Sequence, residues 1–346
     1  MRAVTFRRIA VVGAGANGAS IGADFVRAGY DVTYIEQWPD HVEAMRSKGV
    51  TVHLPGGTEV TPVTTLHLCQ VAEIKEPFDL VFIVVKAYDT RWTAELIRPV
   101  LSDDALVVGL QNGMSIDDLS DVLGEEKVVG AVIECCSNMF EPGICHRETP
   151  PQGSWFALGG LTPSVQKRVT EVEAVLKHAG VVEIYDDIRS AKWMKLVANA
   201  SELVPSALLN MPLHEVVQDH ELSEYMKHCA REALAVCMAS GSKPVPIFGM
   251  SDTSDDPDVY AVQLFEEVLE RFTFPSTLTT VLQDWRKGRR AEIHEINGLV
   301  VREGERLGIP TPANTRTMEI ASAIEAGTLE ASPENRDRIL NSLSLS

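Results

Sequence analysis

The sequence predicts an α/β domain with a doubly wound, mostly parallel sheet, followed by an all-α domain. A glycine-rich turn between an apolar run and a helical pattern opens the chain, and continuously apolar segments typical of buried parallel strands follow it. Beyond about residue 186 the strand signals give way to long amphipathic runs. We therefore expect domains over 1–186 and 187–332, with 333–346 as a polar, peripheral tail.

The first elements surround the glycine-rich turn. The apolar run Ile9–Val12 predicts a strand that leads into GAGANG and a helix over 19–28. In this motif the first glycine permits a tight turn, the second lets a pyrophosphate approach the backbone, and the third allows helix–strand packing. The helix N-terminus then points at the phosphates. This context predicts a dinucleotide-binding Rossmann domain, with these binding residues: Gly13, Gly15, Ala16, Asn17 and Gly18.

The second predicted strand, DVTYIE, ends at Glu36. An acidic residue at this position binds the hydroxyls of the adenosine ribose. A carboxylate would also repel the 2′-phosphate of NADP, and no arginine follows at once in the sequence QWPD. The sequence therefore favours NAD as the cofactor, with NADP as the second choice.

Two later strands end at polar residues. Residues 79–85 (DLVFIVV) and 105–113 (ALVVGLQNG) predict buried parallel strands that deliver Lys86 and Asn112. Ligands bind outside the carboxyl ends of the strands in open α/β sheets. We therefore expect these two side chains to face the cofactor or the substrate.

The second half predicts helices over 190–209, 219–239, 258–271 and 276–307, with a loop or lid over 241–258. Two helical patterns carry polar interruptions. Lys195 and Asn199 lie four residues apart in AKWMKLVANASEL, so they share one helical face. Glu292 and Glu295 are three apart in the last run. Gly298, predicted mid-helix at a cost of about 1 kcal/mol relative to alanine, indicates close approach of another backbone.

Composition excludes several classes of function. With 49 acidic and 31 basic residues the formal charge is −18, which disfavours nucleic acid and anionic membranes as partners. The N-terminus lacks the layout of a signal peptide, and no apolar run is long enough to span a membrane. Six scattered cysteines favour free thiols in a reducing compartment and fit no structural zinc spacing. We expect a cytoplasmic protein without a metal.

Together these segments resemble the ketopantoate reductase family. The match runs in the family's order from GAGANG through VVKAYDT, LQNGM, KWMKLVANA and QDWRKGRRAEIHEINGLVV to GIPTPANTR. It spans nearly the whole chain. The resemblance implies an N-terminal Rossmann domain, a helical C-terminal domain, and NAD(P)H-dependent reduction of a 2-oxoacid to a D-(R)-2-hydroxy acid.

The resemblance also implies residue roles. Lys195 matches the catalytic lysine that protonates the keto oxygen, and Asn199 matches the amide one turn later that helps to hold the substrate. Glu292 matches the glutamate at the reaction centre near the nicotinamide ribose. Lys86 and Asn112 match the lysine and asparagine that face substrate and cofactor.

Three positions on the substrate side depart from the family pattern. A second family asparagine, four residues after the first, is here Leu203, and a further one after Pro212 is Leu213. The serine that holds the substrate carboxylate is Thr280, which keeps the hydroxyl. Because leucine cannot pair with a substrate hydroxyl, these changes favour a substrate less polar than ketopantoate.

Three functions remain open from the sequence. The first is an NAD-dependent 2-oxoacid reductase, equivalently a D-2-hydroxyacid dehydrogenase, and the second is a true 2-dehydropantoate 2-reductase of pantothenate biosynthesis. The third is a non-catalytic nucleotide-binding homologue, against which the retention of Lys195, Asn199 and Glu292 speaks. A small-molecule 2-oxoacid is the expected partner, and the long helical faces allow a homodimer.

Overall fold

The computed structural model describes residues 6–275 and 277–341. The chain divides into two compact units, Met1–Ile188 and Arg189–Ser346. The strands of the first unit are β1 (Ile9–Val12), β2 (Val32–Glu36), β3 (Val50–Leu54), β4 (Gly57–Thr61), β5 (Thr64–His67), β6 (Phe78–Ile83), β7 (Leu101–Gly109), β8 (Val128–Glu134), β9 (Ser137–Glu141), β10 (Ile144–Arg147), β11 (Trp155–Gly160) and β12 (Val181–Ile184). Its helices are α1 (Ala16–Arg27), α2 (Pro39–Lys48), α3 (Thr90–Ile97), α4 (Ile116–Leu123), α5 (Pro163–Gln166) and α6 (Val169–Leu176).

An eight-stranded sheet in the order β12-β11-β8-β7-β6-β1-β2-β5 forms the centre of the first unit. Its neighbouring strands run parallel, except that β11 is antiparallel to β8. Alternate residues of β1 belong to different apolar clusters, with Val11 in one and Val12 in the other. Both faces of the sheet are therefore covered, which explains why its strands are continuously apolar. The predicted Rossmann-like, mostly parallel sheet is confirmed.

A second, four-stranded sheet in the order β4-β3-β10-β9 lies beside α1. Val52 of β3 and Cys145 of β10 are paired in register and buried. Both residues belong to the apolar cluster that includes Phe25 of α1. The helix that follows the glycine turn is thus packed between two sheets.

Several boundaries in the first unit differ from the predictions. Helix α1 begins at Ala16, three residues before the predicted start, so it includes the end of the glycine motif. Strands β6 and β7 end earlier than predicted, at Ile83 and Gly109. Lys86 and Asn112 consequently lie in the turns after their strands.

The second unit is helical, as predicted. Its helices are α7 (Ile188–Ala207, whose first residue belongs to the first unit), α8 (Leu213–Val216), α9 (His220–Ala239), α10 (Pro257–Arg271), α11 (Thr280–Arg286), α12 (Asn297–Leu307), α13 (Pro312–Glu325) and α14 (Arg336–Leu340). The predicted helices over 190–209, 219–239 and 258–271 are confirmed, and the connection over 240–256 is a loop.

The single helix predicted over 276–307 is wrong. Helix α11 ends at Arg286, and Gly288 follows with a φ of +63°, a left-handed conformation that ends a helix. Glu292 and Glu295 lie in turns before α12 rather than on a continuous helix, and Gly298 is the second residue of α12. The expected close approach at Gly298 is present, since a Cβ there would lie 3.2 Å from the Ile293 carbonyl oxygen.

Part of the segment predicted to be a peripheral tail packs against the helical unit. Ile339 of α14 is buried, and the Asn335 side chain donates a hydrogen bond to the Leu208 carbonyl at 2.9 Å. Arg336 forms an ion pair of 2.6 Å with Asp219. The rest of the predicted tail, 342–346, lies outside the described residues.

Within the described ranges 6–275 and 277–341, no helix has the length and apolar character needed to cross a membrane. The same part of the chain contains no cluster of three or more His, Cys, Asp or Glu residues that could hold a metal ion. All six cysteines fall within it and are free thiols.

Candidate active site

The glycine turn is closed towards the sheet and open on its outer side. Gly13 has a φ of +89°, and a Cβ there would lie 2.9 Å from the Val85 backbone nitrogen. A Cβ on Gly18 would overlap the Gly13 carbonyl oxygen. Gly15, in contrast, is exposed and has no protein atom within 4 Å of an added Cβ. Open space beside Gly15 fits the approach of a pyrophosphate to the backbone.

Helix α1 supplies the donors for such an anion. Gly15 is the N-cap residue in an extended conformation and provides no side-chain cap. Helix geometry leaves the first-turn amides of Ala16, Asn17 and Gly18 without acceptors inside the helix. These amides and the positive end of the helix dipole can hold a phosphate group, so this part of the structure fits a dinucleotide.

Glu36 lies at the end of β2 and is buried, with a relative exposure of 6%. Its carboxylate accepts hydrogen bonds from three backbone amides: Oε2 from Ala14, and Oε1 from Gln37 and Trp38, both at 2.8 Å. A carboxylate oxygen can accept two hydrogen bonds, so Oε2 retains capacity for a ribose hydroxyl while Oε1 is saturated. The backbone thus fixes this carboxylate beside the glycine turn.

His41 of α2 is a site residue that the sequence analysis missed. Its Nδ1 accepts the Gly143 amide hydrogen at 2.8 Å, so its Nε2 carries the proton donated to the Ala14 carbonyl at 2.7 Å. The imidazole is therefore neutral, and burial lowers its pKa. Ala14 is held through its amide by Glu36 and through its carbonyl by His41. Only the fold brings these residues together, so no sequence motif could have indicated this role.

Lys86 and Asn112 lie at the same edge of the main sheet. Their strands are paired in register at the carboxyl ends, where Ile83 is opposite Gly109. A buried hydrogen bond of 2.8 Å from Gln111 Nε2 to Thr90 Oγ1 joins the turn after β7 to the start of α3. The structure thus places both predicted residues, partly buried, in adjacent turns at the edge where α/β proteins bind ligands.

In the second unit, α7 carries the polar interruption that the sequence revealed. Lys195, Asn199 and Leu203 follow one another at intervals of four residues and therefore lie on one face of the helix. All three are buried, with relative exposures of 9%, 1% and 8%. The Lys195 ammonium lies 5.3 Å from the ring centroid of Phe248 in the 240–256 loop.

Side chains from later elements support the C-terminal half of α7. Pro205 lies inside the helix and cannot donate to the carbonyl four residues earlier. Thr279 Oγ1 donates to the Leu203 carbonyl at 3.2 Å, and Asn297 Nδ2 donates to the Ala200 carbonyl at 2.8 Å. The starts of α11 and α12 are thereby connected to the helix that carries Lys195.

A buried amide network extends this connection. Asn297 Nδ2 also donates to Asn314 Oδ1 at 2.8 Å, and Asn314 Nδ2 donates to the Glu232 carboxylate at 2.8 Å. Glu232 additionally accepts the backbone amide of Ala313 at 2.8 Å, and its burial raises its pKa. Glu292, itself buried at 3% exposure, lies in the turn just before Asn297. The network therefore fixes that turn relative to α7.

The remaining predicted substrate residues have different surroundings. Thr280, the first residue of α11, has a buried hydroxyl oxygen that makes no hydrogen bond to any described residue. It follows Thr279, whose hydroxyl donates to the Leu203 carbonyl, so the start of α11 lies next to α7. Leu213 begins α8 and is buried. The orphaned hydroxyl of Thr280 fits a ligand that accepts a hydrogen bond, such as a carboxylate.

Comparison with known proteins identifies the family. Residues 9–158 match the family described as Ketopantoate reductase PanE/ApbA, and residues 187–325 match its C-terminal counterpart. The chain belongs to the ketopantoate reductase family. It is therefore an oxidoreductase that acts on CH–OH groups with NAD(P), which confirms the predicted class of enzyme.

Relatives of this ketopantoate reductase family member match it along its length. The 2-dehydropantoate 2-reductase of Archaeoglobus fulgidus is 28% identical, over 93% of this chain and 99% of its own. A crystal structure of a PanE/ApbA family ketopantoate reductase from Ralstonia eutropha JMP134 is 30% identical, with coverage of 92% and 99% and a TM-score of 0.77. A ternary structure of D-mandelate dehydrogenase with NADH and anilino(oxo)acetate shares the fold, with a TM-score of 0.82, 19% identity and coverage of 92% and 99%.

Proposed function

We propose that the protein reduces a 2-oxoacid to a D-(R)-2-hydroxy acid with NADH, and that its substrate is less polar than ketopantoate. The observation that carries the proposal is the buried face of α7, where Lys195, Asn199 and Leu203 follow one another on successive turns. An ammonium, an amide and an apolar side chain on one face suit a keto acid whose tail is apolar.

When bound, the reduced nicotinamide supplies a hydride to the carbonyl carbon. The carbonyl oxygen then gains negative charge, and the Lys195 ammonium both stabilises that charge and donates a proton to it. The Asn199 amide can donate a hydrogen bond to the substrate, and the Thr280 hydroxyl can donate one to its carboxylate. Glu292 is placed in a turn that the Asn297 network holds to α7, so it can orient the groups at the reaction centre.

The leucines argue for the apolar tail. A pocket built to hydrogen-bond a substrate hydroxyl rejects analogues that lack it by large factors, because its own polar groups are left unpaired. With Leu203 and Leu213 in place of amides, substrates without that hydroxyl are no longer rejected. The leucines also add apolar surface that stabilises an apolar substrate by about 25 cal/mol per Å² buried. The structure of D-mandelate dehydrogenase with anilino(oxo)acetate is compatible with an aromatic tail on this fold.

A true 2-dehydropantoate 2-reductase is the second candidate, because relatives such as the Archaeoglobus fulgidus protein carry that name. A panel of 2-oxoacids assayed with NADH separates the two functions. We expect 2-oxoisovalerate or phenylpyruvate to give a higher kcat/KM than ketopantoate, and the Leu203→Asn/Leu213→Asn double variant to reduce that preference. Ketopantoate as the best substrate of the unmodified protein would establish the second function. The homodimer stays a prediction.

The cofactor preference is tested separately. Because the backbone-fixed Glu36 carboxylate should accept a ribose hydroxyl and repel a 2′-phosphate, kcat/KM should favour NADH over NADPH by at least about tenfold, or 1.4 kcal/mol. Glu36→Arg replaces a charge that repels a 2′-phosphate by one that attracts it, and should narrow or invert the ratio. Equal use of both cofactors by the unmodified protein would contradict this assignment.

A further inference from the structure

The 240–256 loop between α9 and α10 reaches back to the helix that carries Lys195. Near its start, the Lys243 amide donates to Ser190 Oγ of α7 at 3.1 Å. Further along, Tyr260 of α10 donates its hydroxyl hydrogen to the Val245 carbonyl at 2.6 Å. Ile247 and Phe248 are fully buried although they lie in a loop. The loop is thus anchored just before the aromatic residue that contacts Lys195.

Phe248 has an unusual backbone conformation. Its φ is +60°, in the left-handed region, where aromatic residues are rare because of steric strain. Arg271 holds this conformation by donating a hydrogen bond to the Phe248 carbonyl, and the Phe272 ring packs with its centroid 5.5 Å from that of Phe248. Strain of this kind persists only where the surroundings enforce it, and it concentrates at functional sites.

We propose that Phe248 is a positioning residue for the Lys195 ammonium. The ring centroid lies 5.3 Å from Lys195 Nζ, within the distance at which an aromatic face attracts a cation. Lysine has a flexible side chain, so fixing its ammonium on one side limits the directions in which it can donate a proton. The inference rests on the proposed role of Lys195 as proton donor. It means that the 240–256 loop orients the group that donates the proton.

The test is to remove the ring while keeping an apolar side chain. We expect Phe248→Leu to lower kcat by about 3- to 30-fold, the range that corresponds to a cation–π contact, with the KM for NADH unchanged. Phe248→Tyr keeps the ring and should restore most of the activity. Phe265→Leu replaces an equally buried phenylalanine of α10 and should leave kcat within about twofold, which controls for core packing. Phe248→Met is a second ring-free variant in case the leucine variant does not fold.

A double-variant cycle identifies the residue through which Phe248 acts. If the ring positions Lys195, Phe248→Leu should have no further effect on the residual activity of Lys195→Ala. An equal loss in both backgrounds, or an unchanged kcat of a folded Phe248→Leu protein, would overturn the inference alone. Full activity of Lys195→Ala would instead overturn the proposed function, so the two failures are distinguishable.

Discussion

Replacing Lys195 by alanine is expected to lower kcat by roughly 10²–10⁴-fold, the usual contribution of a positioned general acid. The alkoxide that forms on hydride addition would lose both its proton donor and the cation that stabilises it. The glycine turn and Glu36, which are proposed to bind the cofactor, belong to the other unit. The dissociation constant for NADH should therefore change little. Steady-state kinetics with a 2-oxoacid and fluorescence titration with NADH measure these two quantities.

Met194 provides a control on the same helix. It is fully buried but lies on a different face of α7 from Lys195, Asn199 and Leu203. Met194→Ala should therefore perturb packing without the large loss of kcat, and thermal melting of both variants would show that each is folded. Lys195→Ala with most of its activity retained would make Lys195 a structural lysine and would contradict the proposed mechanism.

The sequence was sufficient where a feature depends on local pattern. The glycine motif predicts its own turn because each glycine meets a steric requirement within a few residues, as at Gly13 and Gly18. The face of α7 was predictable because Lys195 and Asn199 interrupt an apolar helical period. Apolar runs likewise predicted β6 and β7, although not their ends.

Features that depend on contacts distant in sequence were not predictable. His41 connects Ala14 to Gly143, which lies about a hundred residues later. In the sequence, Phe248 is an ordinary loop residue, and only the folded structure shows that its ring contacts Lys195. The break between α11 and α12 was missed because the helical period of residues 276–307 outweighed Gly288. Periodicity records which residues are buried but not where the backbone turns.

A buried ion pair between Arg147 and Asp24 stabilises the first unit, which carries the glycine turn. Arg147 Nη1 lies 2.6 Å from Asp24 Oδ2, and the two side chains are 1% and 5% exposed. Asp24 belongs to α1, and Arg147 also donates to the Thr149 carbonyl at 2.7 Å and the Ala179 carbonyl at 2.6 Å. One guanidinium thus connects the glycine-turn helix to β10 and to the segment before β12. Burial raises the pKa of Asp24, while Arg147 opposes the rise.

Arg147→Met should therefore destabilise the protein by about 3–5 kcal/mol at pH 7.5, because it leaves the Asp24 charge buried without this partner. For a unit of this size the corresponding fall in Tm is roughly 6–20 °C. A carboxyl group with a raised pKa in the folded state binds protons more tightly there than in the unfolded chain. The stability that the protonated Asp24 carboxyl contributes is fully present below its pKa in the unfolded chain. That contribution is lost as the pH rises through its higher pKa in the folded protein. The loss caused by Arg147→Met should thus shrink as pH falls towards 5.

Two further variants separate the charge from the other contacts of Arg147. Asp24→Asn combined with Arg147→Met removes the buried charge, so it should recover a large part of the lost stability at pH 7.5. It should not recover all of it, because the Thr149 and Ala179 carbonyls still lack their donor. Arg27→Met, which removes the more exposed second arginine of Asp24, should cost about 1 kcal/mol or less. If Arg147→Met were equally destabilising at pH 5 and 7.5, or the double variant recovered nothing, the pair would stabilise α1 through packing and hydrogen bonds rather than through charge.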